Sequence, residues 1–157
     1  AAKSLLDVGA DVVAQHQDSP GPQEAAQEKG VYSIGYNSDM STFAPKAHLT
    51  APVWNWKVYY TKVIDEVRKG TWKAGSVWPG MAEGIVDLAP FGPMVPKEVQ
   101  DKVNAEKARI IAGEQKIFVG PLKDQSGAVK LAAGAVASDE ELLGMTWFVD
   151  GVIGTTK

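Results

Sequence analysis

Residues 9–40 read GADVVAQHQDSPGPQEAAQEKGVYSIGYNSDM, and this stretch decides the fold of the chain. Residues 10–15 form a short apolar run typical of a buried strand. The turn chemistry after it leads into a predicted helix over residues 23–29, which Gly30 closes. Residues 31–36 form a second apolar run. Strand, helix and strand with short links are typical of a parallel sheet with right-handed crossovers, so the predicted fold class is α/β.

The segment before this stretch has the composition of a helix end. Residues 1–9 contain good helix formers and an apolar pair, and Gly9 stands where a helix commonly stops in the left-handed conformation. The first turns of such a helix would lie before Ala1. We therefore expect the chain to be a fragment of something longer.

A third apolar run ends in two tryptophans. Residues 48–56 read HLTAPVWNW and lead into a predicted helix over residues 57–69. Large flat rings at a strand-to-helix junction suit a mouth where a planar ligand stacks. Filling of the core is the alternative, since aromatic side chains mostly serve burial. The apolar positions that share one face of the predicted helix are Tyr60, Val63, Ile64 and Val67.

After residue 72 the sequence predicts one further strand followed by a helix. Residues 84–91 predict a strand that enters a turn, and the next helix begins at Pro96 and ends by Gly113. Its predicted buried stripe consists of Val99, Val103, Ile110 and Ile111.

The last third predicts a hairpin and a short helix. Residues 116–119 and 128–131 flank the turn-forming residues 124–127, which is typical of a β-hairpin. Ser138 and Glu141 have the spacing of a capping box for a short helix through Leu143.

Composition excludes several function classes. The chain has 157 residues, 45% of them hydrophobic, which is enough for one domain with a core. A net charge of -3, without a basic cluster, argues against nucleic acid as a partner. There is no cysteine, and His16 and His48 lie too far apart in sequence for paired metal ligands, so no metal is expected. No apolar run reaches eighteen residues.

Three polar clusters, residues 15–19, 37–39 and 54–56, directly follow predicted strands. A loop Asp or Ser usually caps a turn, so each cluster alone is weak evidence. The carboxyl ends of parallel strands converge on one crevice, however, and this shared position favours a binding site. The candidate ligand-binding residues are His16, Asp18, Ser19, Asn37, Asp39 and Trp54.

Signals for catalysis are weaker. The sequence contains neither a G-x-S-x-G elbow nor a glycine-rich phosphate loop. His16 has Asp18 and Ser19 beside it, but neighbours in sequence rarely have the facing geometry that a proton relay needs. Binding is therefore favoured over turnover, with no catalytic residue and no cofactor. An enzyme on a flavodoxin-like sheet is the alternative, and His16 is its one candidate base.

Five segments together closely resemble one known family. They are GADVVAQHQDSPG, GVYSIGYNSDMS, KAHLTAPVWNW, YYTKVIDEVRKGTW and SDEELLGMTWFVDGV. The resemblance is to the basic membrane protein family, the substrate-binding proteins of ABC importers for purine nucleosides and nucleobases. It implies the two-lobe architecture of type I periplasmic binding proteins, in which hinge closure clamps the ligand.

The resemblance also implies that residues 1–157 form only the C-terminal lobe, a three-layer α/β lobe with a parallel sheet. The first lobe, and the opening strand of the second, would lie before Ala1, and about residues 48–72 would normally pack on the first lobe. Their apolar surface would then be exposed, so the fragment could associate with itself or with its missing half. The implied partner is an ABC transporter permease. The implied location is periplasmic or membrane-associated, with a lipid anchor in the full-length protein as one form, and a ligand-sensing regulatory lobe is the alternative function.

The resemblance carries expectations about the ligand. Asp18 and Ser19 stand where the nucleoside binders have a small glycine-rich turn. Asn37 stands where they place an acidic residue on the ribose hydroxyls, and Trp54 where they place a lysine that reaches the sugar. Both departures remove a polar contact to a sugar, so a free purine base, adenine first, is expected. The alternative is that the ribose is held by other residues. Asp39 could accept an N–H from the base or cap the next turn.

Overall fold

The computed structural model describes residues 1–155, which divide into two compact units. The first unit is Ala1–Ile111, and the second begins at Ala112. The first unit contains the parallel sheet and the four longer helices, and the second contains a hairpin and a short helix.

The first unit is built on a parallel sheet of three short strands. Their bounds are β1 (Val12–Ala14), β2 (Tyr32–Ile34) and β3 (His48–Thr50), and the order in the sheet is β1-β2-β3. Both pairings are parallel. The predicted α/β fold with a parallel sheet is confirmed, although the strands are shorter than the apolar runs that predicted them.

Helices α1 (Ala2–Asp7) and α2 (Gly21–Lys29) pack on the sheet through a core of small side chains. A proline in the first turn begins α2, and Gly30 ends it in the left-handed conformation, with φ 77°. Gly9 follows α1 with φ 97°, as predicted for a residue after a helix end. The buried residues of this core are Leu6, Val13, Ala25, Ala26, Ala44 and Ala47.

The predicted tryptophan strand is divided between two sheets. Its first half is β3, and its second half is β4 (Pro52–Trp54), which pairs antiparallel with β5 (Val86–Leu88). Helix α3 (Trp56–Arg68) begins immediately after β4 and has no buried residue. Ile64, on its predicted apolar face, is 60% exposed.

Helix α4 (Lys97–Ile111) follows Pro96, as predicted, but its predicted buried stripe is wrong. None of its residues is buried, and Val99 and Ile111 are each 43% exposed. A cavity of about 490 Å³ lies between the first turns of α4 and the sheet, and it is lined almost entirely by apolar groups. The apolar side chains of the stripe therefore lack the neighbours that would bury them.

The second unit contains the predicted hairpin, but with a different first strand. Strand β6 (Leu122–Lys123) pairs antiparallel with β7 (Val129–Leu131), whereas residues 116–119 are outside the hairpin. The Asp124 carboxylate accepts hydrogen bonds from the amides of Ser126 and Ala128, so the turn closes directly after β6. The predicted capping box is confirmed at the start of α5 (Asp139–Leu143).

Within residues 1–155, no helix combines the length and the apolar character that crossing a membrane would require.

Candidate functional site

Side chains from three separate segments meet beyond the carboxyl ends of β1 and β2. The Asn37 amide donates through Nδ2 to Asp18 Oδ1, and its Oδ1 accepts the indole N–H of Trp54. Asp18 follows β1, Asn37 follows β2, and Trp54 ends β4. Three of the six predicted site residues therefore form one hydrogen-bonded chain at the edge where a ligand crevice was expected.

The backbone at Asn37 has a left-handed conformation at the position where its side chain contacts both Asp18 and Trp54. Its φ is 66°, and among the described residues it is the only non-glycine with a positive φ. Asparagine tolerates this left-handed region better than most side chains. Asn37 also forms a parallel bridge with Val53, and its carbonyl oxygen accepts the Trp54 amide N–H at 3.1 Å.

Neither tryptophan of this segment fills the core. Trp54 is 38% exposed and Trp56 is 49% exposed. The centroids of the two rings lie 5.9 Å apart, and Trp56 stacks on Tyr60 at 5.8 Å with an interplanar angle of 21°. Tyr60 therefore covers one face of Trp56, but both indole rings keep an exposed part, so core filling, the alternative interpretation, does not describe either tryptophan.

A cleft of about 460 Å³ opens beside the two tryptophans. No Asp, Glu, His, Lys or Arg side chain lines it, and its aromatic walls come from Trp54, Trp56, Tyr59 and Trp78. The sequence reasoning missed Tyr59 and Trp78. Trp78 could have been suspected, since it lies in a Gly- and Pro-rich stretch where a large aromatic residue has no helix or strand to explain it.

His16 lies at the same edge but pairs with a residue that the sequence reasoning missed. Its Nε2 is 2.9 Å from the Tyr36 hydroxyl, and the two rings make an edge contact with centroids 4.4 Å apart. Tyr36 immediately precedes Asn37, so the rule that selected Asn37 could also have selected Tyr36. His16 therefore contacts a phenol, and the structure gives it no contact with Asp18 or Ser19.

Ser19 stabilises its own loop. Its hydroxyl donates to Gln17 Oε1 at 3.1 Å, and its carbonyl oxygen accepts the side-chain amides of Gln15 and Gln17, both at 3.0 Å. These bonds fix the loop that carries Asp18. The structure does not join the Ser19 side chain to Asn37 or Trp54.

Asp39 makes its contacts with the turn that follows it and with His48. Its carboxylate accepts the Ser41 backbone N–H at 2.9 Å, and this bond is the main reason why the pKa of Asp39 is lowered. It therefore caps the next turn, the second of its two expected roles. The same oxygen lies 3.9 Å from Nε2 of the buried His48.

His48 belongs to a buried polar cluster under the site. Its Nδ1 is 2.8 Å from Gln23 Oε1, which also accepts the Ser33 hydroxyl at 3.3 Å. Burial lowers the pKa of His48, and the negative charge of Asp39 only partly opposes that effect. The 3.9 Å contact therefore joins a carboxylate to a neutral imidazole at neutral pH. Among residues 1–155, no three His, Asp or Glu side chains are grouped so that they could hold a metal ion.

Comparison with known proteins identifies the family of the chain. The sequence profile of the family described as PnrA-like ABC transporter substrate-binding proteins matches residues 1–120. A purine-binding protein of Brucella abortus is 44% identical over 152 residues, which are 97% of this chain and 43% of that protein. A protein named as a candidate glucose-binding protein of an ABC transporter, from Haloferax volcanii, is 37% identical over 155 residues, or 98% of this chain and 37% of that protein.

A solved structure shares the fold. The crystal structure of a transcriptional activator of the comK gene from Bacillus halodurans superimposes with a TM-score of 0.65 at 25% identity, covering 72% of this chain and 41% of that chain. The chain thus spans less than half the length of each of these relatives.

Proposed function

Because the chain belongs to the family of PnrA-like ABC transporter substrate-binding proteins, we propose that it is the ligand-binding lobe of an importer receptor for a purine base, adenine being the first choice. Members of this family are substrate-binding proteins and not enzymes. The residues of the proposed ligand-binding site are His16, Asp18, Ser19, Asn37, Asp39 and Trp54.

One observation carries this proposal: the hydrogen-bonded chain Asp18–Asn37–Trp54 at the carboxyl edge of the sheet. Through the Asn37 amide it links an exposed carboxylate to an indole ring that is 38% exposed. A purine has a planar ring for the indole and N–H groups for the carboxylate. The resemblance to a purine-binding protein over almost the whole chain supports the same ligand class.

A free base suits this crevice better than a nucleoside does. The Asn37 amide already makes one hydrogen bond at each end inside the protein, and an uncharged amide is a weaker acceptor for the hydroxyls of a ribose than a carboxylate is. The Trp54 ring occupies the place where the resemblance implies a sugar-binding lysine. The remaining carboxylate, Asp18, can accept N–H groups from the base edge.

We propose further that the ligand is clamped by a second lobe, which this chain does not contain. Helix α3 has no buried residue, and residues 48–72 carry the exposed rings of Trp54, Trp56, Tyr60 and Trp72. An apolar surface of this kind marks an interaction site. In the full-length protein the first lobe would cover this surface, and the closed clamp would deliver the base to an ABC permease. The receptor itself would lie outside the cytoplasmic membrane, either free in the periplasm or held by a lipid anchor.

Calorimetric titration tests the proposal with adenine, adenosine and glucose as ligands. The full-length protein should bind adenine more tightly than adenosine. The 157-residue chain alone should bind adenine weakly, because contacts from both lobes give such sites their affinity. Replacing Trp54 with alanine should weaken adenine binding about 5- to 150-fold, since stacking on an aromatic ring contributes about 1–3 kcal/mol.

Phe43 provides the matched control, because it is an exposed aromatic residue that lies outside the cleft beside Trp54 and outside residues 48–72. Phe43→Ala should leave the affinity for adenine unchanged. Binding of glucose without any binding of purines would refute the proposed ligand. Sub-micromolar adenine binding by the 157-residue chain alone would refute the half-clamp.

The structural similarity to a transcriptional activator supports a second candidate, a lobe that senses a ligand for regulation. Cellular location separates the two functions. An importer receptor lies outside the cytoplasmic membrane and should be digested when protease is added to spheroplasts that express the full-length protein. A cytoplasmic regulator should survive the same treatment until the cells are lysed.

A further inference from the structure

The Asn37 side chain uses both ends of its amide within the protein. Its NH₂ group donates to Asp18, and its carbonyl oxygen accepts the N–H of the Trp54 indole. An indole has only this one polar hydrogen. The polar end of Trp54 is therefore occupied by the protein, and the ring face is the part left for a ligand.

Asn37 also holds Trp54 through the backbone. Its carbonyl oxygen accepts the Trp54 amide N–H, so one residue fixes both the main chain and the ring of Trp54. The left-handed φ of 66° allows one residue to make both contacts at the end of a strand. Asn37 is thus the common partner of the loop after β1 and the end of β4.

We propose that Asn37 is a positioning residue: it orients the Trp54 ring for stacking and withdraws the indole N–H from ligand recognition. This inference rests on the proposed function of the same site. A ligand is then recognised by the ring face of Trp54 and by the second oxygen of the Asp18 carboxylate. A flat ligand with N–H groups on its edge satisfies both, whereas a ligand that needs a hydrogen-bond donor from the indole gains none.

The orienting role can be measured without a ligand by NMR of the 157-residue chain. The chain has five tryptophans, and the indole N–H signal of Trp54 is assigned as the one lost in Trp54→Phe. Asn37→Gly keeps the left-handed backbone accessible but removes the amide. Exchange of the Trp54 indole N–H with solvent should become at least about tenfold faster, because it loses its acceptor, while the other four indoles stay unchanged.

A charge-conserving swap is the matched control. In the double variant Asp18→Asn with Asn37→Asp, the new amide can donate to the new carboxylate, whose other oxygen can accept the indole N–H. In this double variant the Trp54 indole N–H should exchange as slowly as in wild type. The single variant Asn37→Asp places two carboxylates side by side, so its Trp54 indole N–H should exchange faster than in wild type. Equal exchange rates in wild type and Asn37→Gly would overturn the proposal.

Titration of adenine into the full-length protein then tests the consequence for binding. Asn37→Gly should weaken adenine about fivefold to tenfold, the usual effect of one lost hydrogen bond. In the Trp54→Phe background the same change should have little effect, because phenylalanine has no N–H to hold. An undiminished effect in that background would overturn the positioning role. If wild type bound no purine but the NMR results were as expected, the proposed ligand would be wrong and the orienting role of Asn37 would stand.

Discussion

Replacing Gly92 with alanine should strongly destabilise the first unit. A Cβ at this position would lie 1.9 Å from the His48 carbonyl oxygen and 2.6 Å from Met94 Sδ. The methionine could move, but the carbonyl belongs to β3. Gly92 also donates its N–H to the Leu49 carbonyl at 2.8 Å, so the backbone cannot withdraw without losing that bond.

The size of the effect follows from this geometry. Real Cβ atoms essentially never approach another heavy atom within 3.0 Å, so the two segments must separate by about 1 Å. Overpacking commonly costs about 1–3 kcal/mol, and an obstacle made of backbone should place the loss at or above the upper end. Gly75 is the matched control, because its added Cβ meets nothing within 4 Å and its φ is not in the left-handed region. Gly75→Ala should be neutral or stabilising by about 0.4–1 kcal/mol.

Urea denaturation of wild type and both variants measures these differences, with equal m-values as the condition for comparing them. The variant Gly92→Ala should also bind adenine more weakly in the full-length protein, because β3 leads directly into β4, which holds Trp54. A loss of stability below about 0.5 kcal/mol, or one equal to that of Gly75→Ala, would show that the close approach does not hold these segments together.

Three further predictions concern other parts of the chain. Burial lowers the pKa of His48 in the folded state below its unfolded-state value of about 6.5. The contribution of His48 to the free energy of unfolding should therefore be fully present above that pH and be lost as the pH falls towards the lower folded-state pKa. Denaturation from pH 8 to pH 5 should show this slope in wild type and a flatter one in His48→Gln. Replacing Ile64 with lysine should reduce self-association of the 157-residue chain, because Ile64 lies exposed on the apolar face of α3. Light scattering at high concentration measures this, and equal association of wild type and Ile64→Lys would place the contact elsewhere. The variant Ser138→Ala should cost about 1 kcal/mol, seen as faster amide exchange in α5, because it removes one half of the capping box; unchanged exchange would show that the cap contributes nothing.

Local signals predicted the elements of the fold well. Gly9, Gly30 and Gly70 end predicted helices, and all three have the positive φ that glycine adopts without strain. The apolar runs at residues 10–15 and 31–36 became neighbouring parallel strands, because a short connection through one helix leaves few other arrangements. These features depend on residues close in sequence, so the sequence alone was enough to predict them.

Features that depend on distant partners could not be predicted in the same way. The division of residues 48–54 between β3 and β4 depends on pairing with β5, which is more than thirty residues away. The stripe of α4 has the spacing of a buried face, but spacing does not show what covers that face, and here a cavity lies beside it. The first strand of the hairpin was misplaced because the side-chain bonds of Asp124 set where the turn closes.

The same distinction applies to the candidate site. The rule that parallel strands end at a common crevice brought together Asp18, Asn37 and Trp54. It could not show that Asp39 faces the buried His48, because that orientation depends on the turn closed by Ser41. The roles of these residues remain predictions, although their positions are known.

The two departures from the nucleoside-binding pattern are coupled through one contact. The resemblance implies an acidic residue and a lysine at the positions of Asn37 and Trp54, and such a pair would attract each other as opposite charges. Here an amide oxygen accepts an indole N–H, so the two positions still satisfy each other without charge. A lysine at position 54 beside the present Asn37 would instead be drawn to the Asp18 carboxylate and would occupy the one acceptor left for a base edge. We therefore expect Asn37 and Trp54 to select between base and nucleoside together, and a change of either one alone to disturb the site without converting it.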